Sequence, residues 1–362
     1  MTLETGVAFL VAFLAALIVG PFVIARMHVL KFGQNINSYV EGHAKKQGTP
    51  TMGGIIIAIG LTVGVLAAVG VDRLRSAGTA LDSEHLRALG PVAAVCFAFI
   101  GNMIVGFLDD YLSIKRGKNL GLSQWQKLGA QFIVAAGFTF WLATYGHTAQ
   151  TTIISFGRSA SMDVDFGWFY YVISVLLIMG MSNATNFTDG LDGLLGGTSV
   201  LAALGLSATV YIYGINFGLP WFGFAIAGAC VGFLWYNANP AKIFMGDTGS
   251  LAIGAGFAAM ALIGKQEILV LLFCIVFIVE MFSVIAQVGG FKVSRLYRRK
   301  VLKQPNAEGR RIFRMAPLHH HFEKLGVAET AVVARFWIAG TIALVVGLMI
   351  YPFLSPFISF VH

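Results

Sequence analysis

Residues 168–194 read WFYYVISVLLIMGMSNATNFTDGLDGL, an apolar run that ends abruptly in amides, carboxylates and glycines. The apolar part, roughly residues 168–185, approaches the length of about 20 residues that a helix needs to cross a bilayer. An ionisable group at the edge of a membrane is costly, so Asp189 and Asp192 at its end are functional candidates by default. The stretch therefore predicts a membrane helix that leads directly into a polar site.

The composition extends this prediction to the whole chain. Of 362 residues, 57% are hydrophobic and 12% are charged, whereas a soluble domain carries about 25% charged residues. We expect an all-α polytopic membrane protein that forms a single domain over residues 1–362. About ten transmembrane helices are predicted, at residues 3–25, 51–71, 90–108, 129–145, 168–185, 193–213, 219–236, 249–264, 267–289 and 333–357.

Small residues within these runs indicate close helix packing. Gly60 and Gly64, and likewise Gly228 and Gly232, are spaced four apart on predicted spans, a spacing that lets helix backbones approach in membranes. The three cysteines all lie inside apolar runs without metal-ligand spacing, so we interpret them as packing residues. No Lys or Arg precedes the first run, so that run is expected to remain as a membrane helix rather than a cleaved signal peptide.

The basic residues predict the orientation. Most of the 25 Lys and Arg residues lie in the odd-numbered connections between spans, above all in the long ninth connection, residues 291–332. Cytoplasmic loops of membrane proteins carry the excess of Lys and Arg. Both termini are therefore predicted outside and the odd-numbered loops in the cytoplasm. Within the ninth loop, residues 291–302 mix basic and apolar residues after Gly289-Gly290, which predicts an amphipathic interfacial helix beyond a bend.

Three acidic clusters fall on this predicted cytoplasmic side: Asp109-Asp110 at the end of span three, Asp189 with Asp192, and Asp247 at the start of span eight. Together they would form one carboxylate-rich site that calls for a divalent cation. Asp189 and Asp192 are three residues apart and could share a helical face. The open alternatives are solvated acids at helix ends beside Lys115, and a simple polar turn around Gly190.

Three further polar motifs are expected to bind phosphate. Gly246 and Gly249 flank Asp247 where span eight begins, and free N–H groups at a helix N-terminus suit a phosphate. Lys45-Lys46 and Thr51 precede span two, and His319-His320-His321 with Glu323 lie in the ninth loop. The histidines lack a second ligand cluster at zinc spacing, so donation to a pyrophosphate is the preferred interpretation. An ordinary basic stop before a helix and a solvated loop remain the alternatives.

Five motifs in this order resemble a known family. They are residues 48–54 (GTPTMGG), 106–110 (GFLDD), 186–193 (NFTDGLDG), 244–250 (FMGDTGS) and 317–323 (PLHHHFE). The chain resembles the polyprenyl-phosphate hexose-1-phosphate transferases, and the triple His followed by Phe-Glu is similar to the branch that handles a muramoyl-pentapeptide. The resemblance covers nearly the whole chain.

The resemblance implies a reaction between UDP-N-acetylmuramoyl-pentapeptide and undecaprenyl phosphate, with Mg²⁺ as cofactor, at the cytoplasmic face of a bacterial plasma (inner) membrane. It implies catalytic roles for Asp109, Asp110 and Asp247, with Asp247 as the Mg²⁺ ligand. Asn186, Asp189 and Phe244 would hold the nucleoside, with Phe244 stacking on uracil. Further substrate contacts would come from Lys46, Thr51, Lys127, Asp192, Asn237, Gln287, His320 and His321. Membrane lipids and a second copy of the chain are the other expected partners, and nucleic acid is not.

Two other functions stay open on the sequence alone. A relative that transfers N-acetylglucosamine-1-phosphate would share most of the motifs. A transporter would place charges at mid-membrane, but here the polar groups cluster at one interface. Glu280, within predicted span nine, is the exception and has no predicted role. Direct attack and a phospho-aspartate intermediate are both chemically possible for an Asp.

Overall fold

A computed structural model of the chain describes residues 2–30, 48–76, 83–116, 121–146, 151–157, 162–213, 218–304 and 306–354. Within these residues the helices are α1 (Leu3–Val29), α2 (Gly54–Arg75), α3 (Ser83–Lys115), α4 (Gln124–Thr144), α5 (Phe169–Thr188), α6 (Leu194–Tyr213), α7 (Leu219–Asn237), α8 (Gly246–Ile263), α9 (Glu267–Phe273), α10 (Ile275–Lys300), α11 (Leu318–Lys324) and α12 (Glu329–Leu354). Two short strands, β1 (Ile153–Ser155) and β2 (Asp163–Asp165), pair antiparallel between α4 and α5. An all-α prediction does not anticipate this hairpin.

Nine of the helices described are long and apolar enough to cross a membrane: α1, α2, α3, α5, α6, α7, α8, α10 and α12. The chain is therefore a multi-pass membrane protein, as predicted. The span predicted at residues 129–145 is present as α4, but it does not belong to the nine. A polar residue of α4 faces the protein interior: the buried Gln131 donates to Ser182 Oγ at 3.0 Å and accepts from Asn183 Nδ2 at 3.0 Å, both on α5.

The span predicted at residues 267–289 differs from the structure. It is divided at Cys274 into the short helix α9 and the long helix α10. α10 runs through Gly289 and Gly290 to Lys300 without interruption, so the separate interfacial helix predicted at residues 291–302 is the end of α10. Each of the two glycines costs a helix only about 1 kcal/mol relative to alanine. This cost is too small to end α10, because helical residues both precede and follow the pair.

Glycines bring α1, α2 and α7 into backbone contact, as their spacing predicted. A Cβ at Gly60 would lie 2.9 Å from the carbonyl oxygen of Ala12, and one at Gly64 would lie 2.6 Å from that of Ala8. On α7, a Cβ at Gly228 would overlap the carbonyl oxygen of Phe9. These three helices therefore pack with almost no side-chain layer between them.

α8 is the central helix of the fold, and its start is where the polar site forms. Every residue from Thr248 to Leu262 is buried, and α8 packs mainly against α3 and α5. A Cβ at Gly106 of α3 would overlap the backbone of Asp247, and a Cβ at Gly54 of α2 would overlap that of Gly249. The N-terminus of α8 is thus held between two helices at backbone distance.

The glycine contacts give a stability prediction. We expect Gly228→Ala to lower the free energy of unfolding by about 1–3 kcal/mol, the usual cost of forcing extra volume into a packed site. The matched control is Gly180→Ala on α5, where a Cβ meets nothing within 4 Å. This control should keep or slightly raise stability, because alanine favours helix. Thermal unfolding in detergent measures both, and equal melting of Gly228→Ala and wild type would contradict the packing argument.

Candidate active site

The acidic motifs converge at the start of α8. Asp247 occupies the first turn of α8, while Asp109 and Asp110 lie on α3. The Asp109 carboxylate lies within hydrogen-bonding reach of the Asp247 carboxylate. α3 continues to Lys115, so Asp109 and Asp110 lie more than a turn before its end, not at its end as the sequence predicted. The structure thus brings three carboxylates from two distant parts of the chain into one cluster.

Asp110 binds the N-terminus of α8. Its carboxylate accepts the backbone N–H of Asp247 at 3.2 Å, the N–H of Thr248 at 3.0 Å and the hydroxyl of Thr248 at 2.6 Å. The first N–H groups of a helix have no partner within the helix. A carboxylate from α3 therefore satisfies the donors that we expected to bind a phosphate, and that expectation is wrong for these groups.

Gly246 makes this arrangement possible. Its φ of +73° lies in the left-handed region, where a residue with a side chain is strained. A Cβ there would lie 2.6 Å from both the Asp110 carboxylate and the Thr51 hydroxyl. Thr51, predicted as a substrate contact, is buried beside this junction.

The Asp247 side chain points away from this junction and is held from two other helices. Lys127 of α4 forms an ion pair with it, and the Asn186 amide of α5 donates to it at 2.7 Å. Asn186 also donates to Ser250 Oγ at 2.9 Å. Asp109, in turn, accepts the backbone N–H of Leu122 at 2.9 Å. The two facing carboxylates are thus oriented, and Lys127 offsets part of their charge.

The donor set of this cluster fits Mg²⁺. No group of three or more His, Cys, Asp or Glu with metal-binding geometry occurs among the described residues. Mg²⁺ keeps several waters and is commonly held by one or two carboxylates plus substrate phosphates. Asp109 and Asp247 supply two carboxylates in contact, and like charges at that distance are stabilised by a cation.

Asp189 follows the last residue of α5 and lies close to the cluster. Its carboxylate accepts the backbone N–H of Gly246. Burial, together with the charges of Asp247 and Asp110, raises the pKa of Asp189 to about 8. Phe244 is half-buried in the segment just before α8, where its N–H donates to Pro50 O at 2.8 Å and its own carbonyl accepts from Gly53 N at 2.8 Å. This pairing places Phe244 beside the loop that carries Thr51.

Asp192 and Asn237 brace loops instead of joining the cluster. Asp192 accepts from Asn239 Nδ2 at 3.0 Å and from Ala241 N at 3.1 Å. Asn237 accepts from Gly193 N at 3.0 Å and donates to Ile243 O at 2.9 Å. Asp189 and Asp192 therefore do not share a helical face, because α5 has ended before either residue.

The histidines lie on the short helix α11. His320 pairs with Glu323 at 2.6 Å, and His321 Nδ1 accepts the backbone N–H of Arg314 at 3.1 Å. His319 is 1% exposed, and a Cβ at Gly190, next to Asp189, would overlap its ring. The sequence alone does not distinguish His319 from its neighbours, because burial depends on how α11 docks.

Two predicted substrate contacts remain. Gln287 of α10 accepts the backbone N–H groups of Ile312 at 3.0 Å and Phe313 at 2.9 Å, and it donates to Phe313 O at 3.0 Å. Its amide is thus engaged by the ninth loop. Lys46 lies outside the described residues.

Comparison with known proteins identifies the family of the chain. Residues 92–265 match glycosyl transferase family 4, and residues 46–57 match phospho-N-acetylmuramoyl-pentapeptide-transferase signature 1. The chain is 41% identical over 342 residues to the phospho-N-acetylmuramoyl-pentapeptide-transferase of Shouchella clausii, covering 94% of this chain and 95% of the relative. It is 40% identical over 341 residues to the enzyme of that name from Bacillus thuringiensis, with the same coverage of both chains. The chain therefore belongs to the phospho-N-acetylmuramoyl-pentapeptide-transferase family.

Proposed function

We propose that this protein transfers phospho-N-acetylmuramoyl-pentapeptide from UDP-N-acetylmuramoyl-pentapeptide to undecaprenyl phosphate. The products are lipid I, a precursor of peptidoglycan, and UMP. The observation that supports this most directly is the contact between the Asp109 and Asp247 carboxylates, with Lys127 beside Asp247. Two polyanionic substrates have to meet in this reaction, and the cluster combines oriented oxygen ligands with a cation.

In the proposed reaction, an oxygen of the lipid phosphate forms a bond to the sugar-linked phosphorus. The bond between that phosphorus and the bridging oxygen breaks, and the oxygen leaves with UMP. Asp109, held by the N–H of Leu122, orients the attacking lipid phosphate. Asp247, with Asp109 alongside, would hold Mg²⁺, which would supply positive charge to offset the charge of the pyrophosphate and of the leaving UMP.

Residues around the cluster hold the substrates. Phe244 offers a half-buried aromatic face for uracil, and Asp189, whose carboxylate accepts from the backbone of Gly246, contacts the nucleoside beside it. Lys127 lies beside Asp247 and approaches Asn186 Oδ1 at 3.5 Å, where it can contact a phosphate oxygen. His320 and His321 on α11, with Lys46 and Thr51 before α2, contact the rest of the UDP-substrate. Asp110 acts by holding α8 in place, and Asp192, Asn237 and Gln287 act through the loops they brace.

The site is proposed to face the cytoplasm of a bacterial plasma membrane, with both termini outside. The ends of α3 and α10 that lead to the site are followed by connections rich in Lys and Arg, and cytoplasmic loops carry the excess of these residues. This orientation brings the soluble UDP-substrate and the membrane-bound lipid phosphate to the same interface.

The function is tested with purified protein, undecaprenyl phosphate and either of two UDP-sugars. Product is expected with UDP-N-acetylmuramoyl-pentapeptide and only background with UDP-N-acetylglucosamine, and chelation of Mg²⁺ should stop the reaction. Asp247→Asn should lower turnover by about 100-fold or more, the scale of losing a charge directed at a transition state. Preference for UDP-N-acetylglucosamine, or near wild-type turnover of Asp247→Asn at low Mg²⁺, would contradict the assignment.

We expect affinity for the UDP-substrate and turnover to depend on two different residues, Phe244 and Asp109. Asp109→Asn should lower turnover while leaving the affinity for the UDP-substrate nearly unchanged, because it is proposed to act on the other substrate. Phe244→Ala should weaken that affinity by about 1–3 kcal/mol, the usual value of a base stacked on an aromatic ring. Phe140→Ala, at a position of α4 that is 67% exposed, is the matched control and should keep both turnover and affinity. Titration calorimetry beside turnover measures each variant, and the reverse pattern would exchange the two roles.

The Asp109→Asn variant also tests whether Asp109 acts as a general base. A phosphate monoester loses its second proton near pH 6. If Asp109 acts as a base, Asp109→Asn should lose most of its activity below about pH 6, where the lipid phosphate still carries that proton. An equal loss at every pH would instead favour orientation of the phosphate or support of the metal.

The orientation is tested with single cysteines in a chain whose Cys96, Cys230 and Cys274 are replaced by alanine. A membrane-impermeant maleimide added to intact spheroplasts should label Tyr145→Cys, which is 77% exposed at the far end of α4. Lys303→Cys, just beyond α10, should react only after the cells are permeabilised. The opposite labelling pattern would reverse the topology.

A further inference from the structure

Glu280 is a buried carboxylate on the membrane helix α10, and the proposed reaction does not use it. Its side chain is 0% exposed. A charge buried without compensation costs several kcal/mol, and ionisable residues within membrane spans commonly mark function. Its partners therefore indicate what it does.

The Glu280 carboxylate binds the start of α11. Oε2 accepts the N–H of Leu318 at 2.7 Å, and Oε1 accepts the N–H of His319 at 3.1 Å. α11 begins at Leu318, so these are N–H groups that lack a partner within the helix. A side chain from α10 thus anchors the helix that carries the three histidines.

The anchored residue, His319, links Glu280 to the reaction site. Its Nδ1 lies 3.4 Å from Glu280 Oε2, and on the other side its Nε2 lies so close to Gly190 that a Cβ there would overlap it. Burial lowers the pKa of His319. The contact with Gly190 and the two hydrogen bonds from the backbone N–H groups of Leu318 and His319 to Glu280 hold this residue in place. Gly190 directly follows Asp189, whose carboxylate accepts from Gly246 at the start of α8.

A second contact from α10 fixes the other end of the same segment. Gln287 lies seven residues after Glu280, about two helical turns or ~10 Å along the same face. It makes three hydrogen bonds to the backbone of Ile312 and Phe313. α10 therefore holds residues 312–319 at both ends through side chains that bind main-chain groups.

We infer that Glu280 is a positioning residue for the transferase reaction. By capping α11 it presses His319 against Gly190, and it thereby fixes both the Asp189 loop and the placement of His320 and His321. The inference rests on the proposed function for its catalytic consequence. Its structural part, the anchoring of α11, stands independently of that function.

The first test measures the anchoring itself by hydrogen exchange in the purified protein. In Glu280→Gln, one of the two buried N–H groups faces an amide NH₂ in place of a carboxylate oxygen. Exchange in the peptide covering residues 312–324 should become about tenfold faster or more, because hydrogen bonds to charged groups are among the stronger ones. Peptides from α8 should be unchanged.

The matched control is Glu267→Gln. Glu267 is also buried, and it accepts from Tyr170 at 2.6 Å and from Lys265 at 2.7 Å. It lies beyond the far end of α8, about 27 Å from the site for a helix of 18 residues. This variant removes the same charge without touching α11, so exchange in residues 312–324 should match the wild type.

The second test asks whether Glu280 acts through His319. Glu280→Gln and His319→Ala should each lower turnover about tenfold or more, as expected when a positioning contact is lost. The double variant should fall little further, because residues that act through one contact do not contribute independently. Glu267→Gln combined with His319→Ala should show the product of the two separate effects. Glu280→Asp, which keeps the charge on a shorter side chain, should recover part of the loss.

Unchanged exchange at residues 312–324 in Glu280→Gln, or losses that multiply in the Glu280–His319 double variant, would overturn the inference. If Glu280→Gln does not fold, Gly190→Ala displaces His319 from the opposite side and should produce the same faster exchange in residues 312–324. Unchanged exchange in that variant would also overturn the inference. An inactive wild type would count against the proposed function alone, because the exchange measurement does not depend on turnover.

Discussion

The start of α8 is the feature on which the rest of the site depends. Its first N–H groups carry the positive end of a helix dipole, and they are bound by carboxylates of the protein itself: Asp189 at Gly246, and Asp110 at Asp247 and Thr248. Because the backbone is held in this way, the side chain of Asp247 can turn toward Asp109 and Lys127. A bulkier residue at Gly246 would separate these groups.

The charge balance of the site depends on this arrangement. Asp110 and Asp189 are engaged by backbone donors, while Asp109 and Asp247 face one another. Lys127 offsets part of the charge of that second pair. The remaining negative charge would repel both a lipid phosphate and a pyrophosphate, and the proposed Mg²⁺ would offset that charge as the substrates approach. The geometry thus separates the carboxylates that bind the backbone from the two carboxylates that are proposed to act in the reaction.

Features that depend on the local pattern of residues were predictable from the sequence, whereas features decided by tertiary contacts were not. Apolar runs located the spans, and the acidic motifs at their ends indicated a common site. The residue type of Asp192 could not show that its carboxylate would accept from Asn239 and from the backbone N–H of Ala241. Nor could the glycines near position 290 show that α10 continues through them. Glu280 was recognisable in the sequence as an ionisable residue inside an apolar run. Its hydrogen-bond partner could not be predicted, because Leu318 lies 38 residues away in the chain.

The long helix α10 gives the site a mechanical link to the bilayer. The helix is long and apolar enough to cross the membrane, and its Glu280 and Gln287 side chains bind the backbone of residues 312–319, which lead into the histidines. A span whose apolar length does not match the local bilayer accommodates by tilting, and any tilt of α10 would carry α11 with it. In the proposed function the histidines meet a soluble substrate, so the depth of that contact would depend partly on the thickness of the membrane, and lipid chain length would become one of the variables that define the proposed site.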